Sequence, residues 1–242
     1  MYDSFPDALP TLYETAPYII IGSGIAGLYA ALKLSSSGRV VLITKSSLTE
    51  SNTHYAQGGI AAAISPNDSP DLHYQDTLMA GAGLCDPEAV RTLVDEGPVR
   101  VRELINLGVP FDRIQNGLAL TREAAHSRNR ILHAEGDATG RAISNTLIQL
   151  VRQKPIQIYE QHYATALITQ NGHCCGVVTI AEGRLHLFLG GAIILCTGGL
   201  GQIYSKTTNP QVATGDGIAL AYRCGAAIRD MEFVQFHPTA LY

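Results

Sequence analysis

The stretch that decides the fold is Tyr18-Ile19-Ile20-Ile21-Gly22-Ser23-Gly24-Ile25-Ala26-Gly27, an apolar run followed by a glycine-rich turn. A short apolar run suits a strand that is buried on both faces of a parallel sheet. Leu28–Leu34 follows with helical spacing and ends before Gly38, and Arg39–Thr44, which is apolar from 40 to 43, is a second predicted strand. The stretch therefore predicts a β-α-β unit that begins at Tyr18, the usual setting of a dinucleotide-binding turn.

Each glycine of this turn has a separate physical task. Gly22 permits the tight turn, Gly24 lets the backbone approach a pyrophosphate, and Gly27 lets the helix pack closely on the strand. The helix that follows offers N–H groups and the positive end of its dipole to phosphate oxygens. We therefore expect phosphate binding along the whole turn, including Ser23, Ile25 and Ala26. A glycine-rich turn without a ligand is the alternative.

The end of the second strand departs from the usual dinucleotide pattern. An Asp or Glu there normally binds the ribose 2′-OH, whereas this chain has Thr44-Lys45, with Glu50 five residues further on. The departure disfavours an ordinary NAD site. Lys45 can instead contact ribose or phosphate through charge-assisted hydrogen bonds.

Composition narrows the class of protein. The 242 residues are 46% hydrophobic and only 16% charged, with 24 glycines and a net charge of −4. A mildly acidic chain lacks the basic excess that nucleic-acid binding needs. The five cysteines have no C-x-x-C spacing and are odd in number, which argues against a disulfide framework or a metal site and favours reduced thiols in the cytoplasm.

The N-terminal 17 residues carry three acids and no Lys or Arg, so they do not resemble a signal peptide, and we expect a tail over residues 1–17. Thr15–Leu32 holds no charge over 18 residues, close to the length of a membrane helix. Because Pro17 and three glycines interrupt it, a strand–turn–helix is the better interpretation, and no membrane association is predicted.

The rest of the chain predicts an α/β fold. We expect a Rossmann-like parallel sheet with a small antiparallel insertion around Cys174–Leu189. The predicted helices are Asp71–Ala80, Pro87–Leu107 with Asp86 as N-cap, Thr139–Arg152 and Gly215–Cys224. The predicted strands are Ile156–Ile168 with a break near Gln161-His162, a hairpin of Cys174–Ile180 and Leu185–Leu189 around Glu182-Gly183, and a third core strand, Ala192–Cys196, followed by Thr197-Gly198-Gly199.

Several further motifs occur in a fixed order along the chain. They are S-N-T-H-Y-A-Q-G-G-I-A-A (51–62), T-R-E-A-A-H-S-R-N-R-I-L-H-A (121–134), D-A-T-G (137–140), T-G-G (197–199), T-T-N-P (207–210), T-G-D-G (214–217) and E-F-V-Q-F-H-P-T-A-L (232–241). Together with the turn at 22–27, this series resembles the L-aspartate oxidases, a family of flavoenzymes within the succinate dehydrogenase/fumarate reductase flavoproteins. The resemblance covers Tyr18 to Tyr242.

The resemblance implies FAD as the cofactor. The matching positions place Ser23 to Ala26 at the pyrophosphate, Lys45 after the second strand, and Asp216 on the cofactor. An N-cap role for Asp216 on the following helix is the alternative. The backbone at Thr197, Gly198 and Gly199 is expected to touch FAD, and the segment expected along the flavin is Asn52, Thr53, His54, Tyr55, Ala56, Gln57, Gly58 and Gly59.

The resemblance also implies that FAD is held non-covalently. Relatives that attach flavin covalently carry a histidine five residues before the glutamine of the A-Q-G-G segment. Counting back from Gln57 gives Asn52, and His54 is two residues out of place.

Two residues are implied at the substrate. Glu123 matches a glutamate that orients L-aspartate, since a carboxylate can pair with the α-ammonium that distinguishes aspartate from succinate. His237, in F-H-P-T, matches a histidine that contacts a substrate carboxylate. Ala124-Ala125 stand where relatives usually show two glycines, and Arg128-Asn129 stand where they show a His-Arg pair. The resemblance therefore does not fix the geometry of this loop.

The implied reaction is oxidation of L-aspartate to iminoaspartate, with reoxidation by oxygen or fumarate, as the first step of NAD biosynthesis through quinolinate. Quinolinate synthase is a conceivable partner. A fumarate reductase or succinate dehydrogenase flavoprotein subunit and a non-catalytic flavin-binding fragment are the alternatives. The resemblance further implies an FAD-binding domain over 18–236, with residues 237–242 at the start of an absent capping domain, so that the chain alone is expected to be nearly inactive.

Overall fold

The computed structural model describes residues 12–115 and 117–236. These residues form two compact units. The first, here the sheet unit, holds the residues up to Asn52 and from Leu147 onward; the second, here the inserted unit, is Thr53–Thr146. The expectation from the sequence was one domain over 18–236, without this division.

The elements follow in chain order. They are β1 (Leu12–Ile21), α1 (Ile25–Leu34), β2 (Val40–Ile43), α2 (Asn52–Tyr55), β3 (Ile60–Ala61), α3 (Pro70–Ala80), α4 (Pro87–Asn106), β4 (Arg113–Ile114), β5 (Gly117–Leu118), β6 (Leu120–Thr121), β7 (Ile131–Leu132), α5 (Thr139–Arg152), β8 (Ile156–Tyr159), β9 (Tyr163–Gln170), β10 (His173–Ala181), β11 (Arg184–Leu195), a 3₁₀ turn (Gly201–Ile203) and α6 (Asp216–Arg223).

The sheet unit is built on six strands in the order β8-β2-β1-β11-β10-β9. The pairs β8–β2, β2–β1 and β1–β11 are parallel, and β11–β10 and β10–β9 are antiparallel. All four residues of β2 and the last three of β1 are buried, as expected of central strands with covered faces. The predicted α/β fold with a Rossmann-like parallel sheet is confirmed.

Two strands differ from the prediction. β1 begins at Leu12, so residues 12–17 are strand rather than tail, and exposed and less exposed positions alternate there because this part is covered on one face only. The second strand of the predicted hairpin and the predicted third core strand are one strand, β11. The predicted antiparallel strands are present, and they extend the main sheet through β11.

The continuity of β11 depends on Gly190. Glycine normally weakens a strand interior, and the two predicted strands indeed lie on either side of Gly190-Gly191. A Cβ at Gly190 would lie 2.8 Å from the carbonyl oxygen of Ala16 and 2.9 Å from Cδ1 of Ile19. The missing side chain therefore lets β1 and the side chain of Ile19 pack against β11.

The inserted unit contains α3, α4 and two small sheets, β3-β7-β6 and β4-β5. The predicted cap of α4 is confirmed, since the Asp86 carboxylate accepts from the N–H groups of Glu88 and Ala89 at 3.0 and 3.2 Å. The predicted helices at 71–80, 139–152 and 215–224 are confirmed to within one residue at each end. Over residues 12–115 and 117–236, no helix combines the length and apolar character needed to cross a membrane.

Candidate cofactor site

The glycine-rich turn lies between β1 and α1 and has no room for side chains at two positions. Gly22 has φ of +114°, and a Cβ there would lie 2.1 Å from the carbonyl oxygen of Cys196. A Cβ at Gly27 would lie 1.9 Å from the carbonyl oxygen of Gly22. Gly24 precedes α1 without a side-chain capping hydrogen bond, and the first turn carries no acid. The turn thus has the shape and polarity that a pyrophosphate requires.

The carboxyl ends of the parallel strands bring the other predicted positions of the sheet unit to the same edge. β1 ends at the turn, β2 ends before Thr44-Lys45, and β11 ends before Thr197-Gly198-Gly199. Ligands of open α/β sheets bind at this edge. The three motifs, far apart in sequence, therefore lie at one end of one sheet.

The side chain of Ser23 connects the glycine-rich turn to the neighbouring strand. Its hydroxyl is hydrogen-bonded to the hydroxyl of Thr44 at 3.0 Å, and both residues are buried. The side chain therefore ties the turn to the end of β2. This bond also explains the Thr that stands where the NAD pattern has an acid.

Lys45 and Asp216 form an ion pair across 171 residues of sequence. Lys45 Nζ donates to Asp216 Oδ2 at 2.5 Å and to Thr214 Oγ1 at 2.6 Å. The two side chains are 24% and 20% exposed, so the pair is only partly shielded from water. The structure thus joins two residues that the sequence assigned separately to the cofactor.

Tyr163 completes this cluster and was missed by the sequence analysis. Its hydroxyl donates to Asp216 Oδ1 at 3.2 Å, and its ring centroid lies 5.8 Å from Lys45 Nζ. Burial, the charge of Asp216 and the hydrogen bond raise the pKa of Tyr163. A tyrosine at the start of a strand carries no local signal that would have identified it.

The pKa of Asp216 is lowered. Burial acts to raise it, but the hydrogen bonds from Lys45 and Thr214, the charge of Lys45 and the hydrogen bond from Tyr163 outweigh that effect. The alternative role as N-cap is wrong, because the N-cap of α6 is Gly215, with φ of +79°. Asp216 is the first residue of α6, and its carboxylate is committed to the cluster.

The T-G-G segment after β11 places small residues beside Asn52. Gly198 has φ of +70°, and a Cβ there would lie 3.6 Å from Nδ2 of Asn52. Gly217 is packed against Thr197, whose Oγ1 would be 1.8 Å from an added Cβ. In contrast, a Cβ at Gly199 would meet no atom within 4 Å. Gly199 therefore faces open space, where its backbone can be reached by a ligand.

The predicted flavin segment, residues 52–59, is exposed over most of its length. Asn52 begins α2, Thr53 and His54 follow half-buried, and Tyr55–Gly58 are all exposed. The segment is anchored by Gly140, where a Cβ would lie 1.9 Å from the carbonyl oxygen of Thr53. At its other end, a Cβ at Gly59 would lie 2.3 Å from the Ile131 side chain. Close packing thus anchors both ends and leaves four exposed positions between them.

Glu123 lies in a loop that closes a hairpin between β6 and β7. Thr121 pairs with Ile131 at its base, and Arg130 N donates to Thr121 O at 3.1 Å. The Glu123 side chain is 55% exposed, and its Oε1 lies 3.8 Å from Nε2 of His133. The loop contains Ala125 in the left-handed region, with φ of +68°, where relatives were expected to have glycine. Glu123 is therefore presented to solvent by a tightly turned loop.

A buried charge cluster in the inserted unit was not predicted from the sequence. Arg130 is fully buried and pairs with Asp68 and Asp76. The two aspartates precede it by 62 and 54 residues, and no local pattern links them. His237, the other predicted substrate residue, lies outside the described residues.

The chain matches a family described as FAD binding domain over residues 18–242. It is 54% identical over 226 residues to the L-aspartate oxidase of Nostoc sp., which covers 92% of this chain and 39% of that protein. It is 50% identical over 236 residues to the L-aspartate oxidase of Streptomyces coelicolor, or 94% of this chain and 40% of that one. The chain thus spans about two fifths of the length of these relatives.

Solved structures show the same fold. The FrdA subunit of E. coli quinol fumarate reductase, with an E245Q mutation, superposes with a TM-score of 0.91 at 34% identity, covering 96% of this chain and 40% of that one. Mycobacterium smegmatis Sdh1 gives 0.87 at 33% identity, covering 94% and 41%. The turn without side-chain space, the uncapped start of α1 and the Lys45–Asp216 pair fit the FAD that the match implies. The chain belongs to the FAD binding domain family.

Proposed function

We propose that the protein is an FAD-dependent L-aspartate oxidase, which oxidises L-aspartate to iminoaspartate and passes the electrons to oxygen or fumarate. The observation that carries the proposal is identity of about 50% over more than nine tenths of the chain to relatives named L-aspartate oxidase. The exposed carboxylate of Glu123 on its turned loop supports the same substrate.

The residues of the sheet unit would hold the cofactor. Backbone N–H groups at the start of α1 would bind its pyrophosphate, and Lys45 with Asp216 would bind polar groups of its sugar portions. The exposed segment at 52–59 and the backbone of Thr197–Gly199 would lie along the flavin. When bound, FAD supplies the acceptor for the hydride that leaves the Cα of the substrate.

Glu123 would select the substrate. Aspartate carries an α-ammonium that succinate and fumarate lack, and a carboxylate facing that group forms a charge-assisted pair. Removing the charge from Glu123 should therefore weaken the binding of L-aspartate and leave the binding of fumarate nearly unchanged. His237 would contact a substrate carboxylate.

FAD would be held without a covalent bond, because Asn52 occupies the position of the linking histidine. Acid precipitation of the FAD-loaded protein should release all flavin into the supernatant. A yellow pellet would contradict this part of the proposal.

A fumarate reductase or succinate dehydrogenase flavoprotein is the second candidate. Its support is the structural match to FrdA and Sdh1 at 33–34% identity. The higher identity to L-aspartate oxidases and the presence of Glu123 favour the first candidate. A flavin-binding protein without catalysis is the remaining alternative.

One experiment separates the three. The full-length gene product, loaded with FAD, is assayed for hydrogen peroxide release and for fumarate-dependent turnover with L-aspartate, and for turnover with succinate. Turnover with L-aspartate and little with succinate is expected. Preference for succinate would establish the second candidate, and bound flavin with no turnover would establish a binding protein. Iminoaspartate would be used by quinolinate synthase in the cytoplasm, where this step would begin NAD biosynthesis.

A further inference from the structure

The buried cluster around Arg130 connects two parts of the inserted unit. Arg130 Nε and Nη2 donate to the two carboxylate oxygens of Asp68, each at 2.8 Å, in a bidentate pair. Arg130 Nη1 donates to Asp76 Oδ2 at 2.6 Å. The arginine side chain is 0% exposed, and Asp68 and Asp76 are 1% and 15% exposed. A charge buried to this degree persists only when it is fully paired.

The same cluster is hydrogen-bonded to the loop that carries Glu123. Oδ2 of Asp76 accepts from both the backbone N–H and the hydroxyl of Ser127, each at 2.8 Å. Arg130 Nη1 also donates to His126 Nδ1 at 3.3 Å, because a guanidinium can only donate. Ser127 and His126 belong to the loop, whereas Asp76 belongs to α3. The loop is therefore fixed to a helix at its tip as well as at its hairpin base.

A short stretch of backbone connects Glu123 to the loop residues that the cluster contacts. His126 N donates to the carbonyl oxygen of Glu123 at 3.3 Å, and Ala125 between them is in the left-handed region. This turn costs energy for a residue with a side chain, so it needs support from its surroundings. The bonds from Asp76 to Ser127 supply that support one residue beyond the turn.

We propose that Asp76, backed by Arg130 and bonded to Ser127, is a positioning residue that holds Glu123 in the orientation needed to bind the α-ammonium of L-aspartate. The proposal rests on the substrate role of Glu123 proposed above. It adds that the buried cluster serves specificity for the amino acid substrate in addition to holding the unit together.

The test uses the full-length, FAD-loaded protein and the variant Ser127→Ala, which removes one hydrogen bond to Asp76 and leaves every ion pair of Arg130 intact. We expect the KM for L-aspartate to rise roughly tenfold, the loss typical of a hydrogen bond to a charged group. The KM for fumarate, which has no ammonium, should stay within about twofold. Ser127→Thr keeps the hydroxyl and should restore the KM for L-aspartate. The matched control is Ser65→Ala, at a half-buried serine of the same unit whose hydroxyl accepts from the N–H of Asn67, and it should behave as wild type.

A double-mutant cycle with Glu123→Gln then tests the path of action. If the loop acts through Glu123, Ser127→Ala should add almost nothing once Glu123→Gln is present. Equal losses for L-aspartate and fumarate, or fully additive losses with Glu123→Gln, would overturn the positioning role. If Ser127→Ala alone is silent while Glu123→Gln raises the KM, only this inference fails. If Glu123→Gln is itself silent, the substrate role proposed for Glu123 fails, and this inference fails with it.

Discussion

Two ion clusters among the described residues each pair a cation with aspartate carboxylates, but in different surroundings. Lys45 and Asp216 of the sheet unit are 24% and 20% exposed, whereas Arg130 and Asp68 of the inserted unit are 0% and 1% exposed. A partly hydrated pair can exchange protein contacts for ligand contacts at low cost. A fully buried pair cannot, because breaking it leaves an uncompensated charge. Exposure thus separates a cluster suited to binding a cofactor from one suited to holding structure.

The largest effect that would sharpen this comparison is expected at Arg130. Arg130→Met leaves Asp68 and Asp76 buried without their cation, and we expect a loss of about 3–5 kcal/mol in the free energy of unfolding. Lys45→Met should cost at most about 1 kcal/mol. Urea unfolding of both variants measures the difference. Similar losses for the two would break the distinction between the clusters.

The next effect concerns the turn rather than the charges. Gly27→Ala forces a Cβ to within 1.9 Å of a carbonyl oxygen, and we expect a loss of about 1–3 kcal/mol together with weaker FAD binding. Gly97→Ala in α4 is the control, because a Cβ there meets nothing within 4 Å. That variant should change stability by less than about 1 kcal/mol, because the gain in helix propensity is opposed by contact of the new Cβ with Pro98, which follows it inside α4. Unchanged stability in Gly27→Ala would mean that α1 can shift away from β1.

Gly199 separates ligand binding from folding at the same sheet edge. Because its surroundings are open, Gly199→Ala should leave the stability of the FAD-free protein within about 0.5 kcal/mol. If the backbone there touches FAD, the added methyl group should lower FAD affinity by roughly tenfold. Flavin fluorescence titration measures the affinity. Wild-type affinity would remove Gly199 from the cofactor site.

The smallest effect is the pH dependence of the two clusters. The pKa values of Asp76 and Asp216 both lie below the ordinary 3.8. Burial acts to raise each of them; hydrogen bonds from Ser127 and Arg130 lower the first, and those from Lys45, Thr214 and Tyr163 lower the second. As the pH falls, the unfolded chain therefore takes up protons first. The stability from each carboxylate is present above 3.8 and is lost as the pH falls through its folded pKa.

Comparison of wild type with Asp76→Asn and with Asp216→Asn by urea unfolding at several pH values checks this. Each difference should shrink as the pH falls from about 5 to about 2. Salt at about 1 M should reduce the Asp216 difference more than the Asp76 difference, because the Lys45 pair is nearer to solvent. Equal salt sensitivity would contradict the comparison.

The sheet unit was largely predictable because its signals are local. The apolar run before Gly22 and the glycine spacing each lie within a few neighbouring residues, and so does the equally local cap at Asp86 in the inserted unit. The Ser23–Thr44 bond and the Arg130 cluster were not predictable, since they join residues 21 to 62 positions apart with no shared pattern. β11 was divided in error because a glycine pair usually ends a strand, and only the register with Ala16 shows why it does not here.

The pairing of β1 with β11 has a consequence for synthesis of the chain on the ribosome. Leu12 pairs with His186, which is 174 residues later, whereas Tyr18 pairs with Val40 only 22 residues later. At translation rates of about 5–20 residues per second, the β11 side of β1 waits on the order of 10–35 seconds for its partner. During that interval the edge beside Ile19, Ile20 and Ile21 is open to pairing with other chains. Slower elongation should therefore increase aggregation of the nascent protein, and binding of a chaperone to this strand should reduce it.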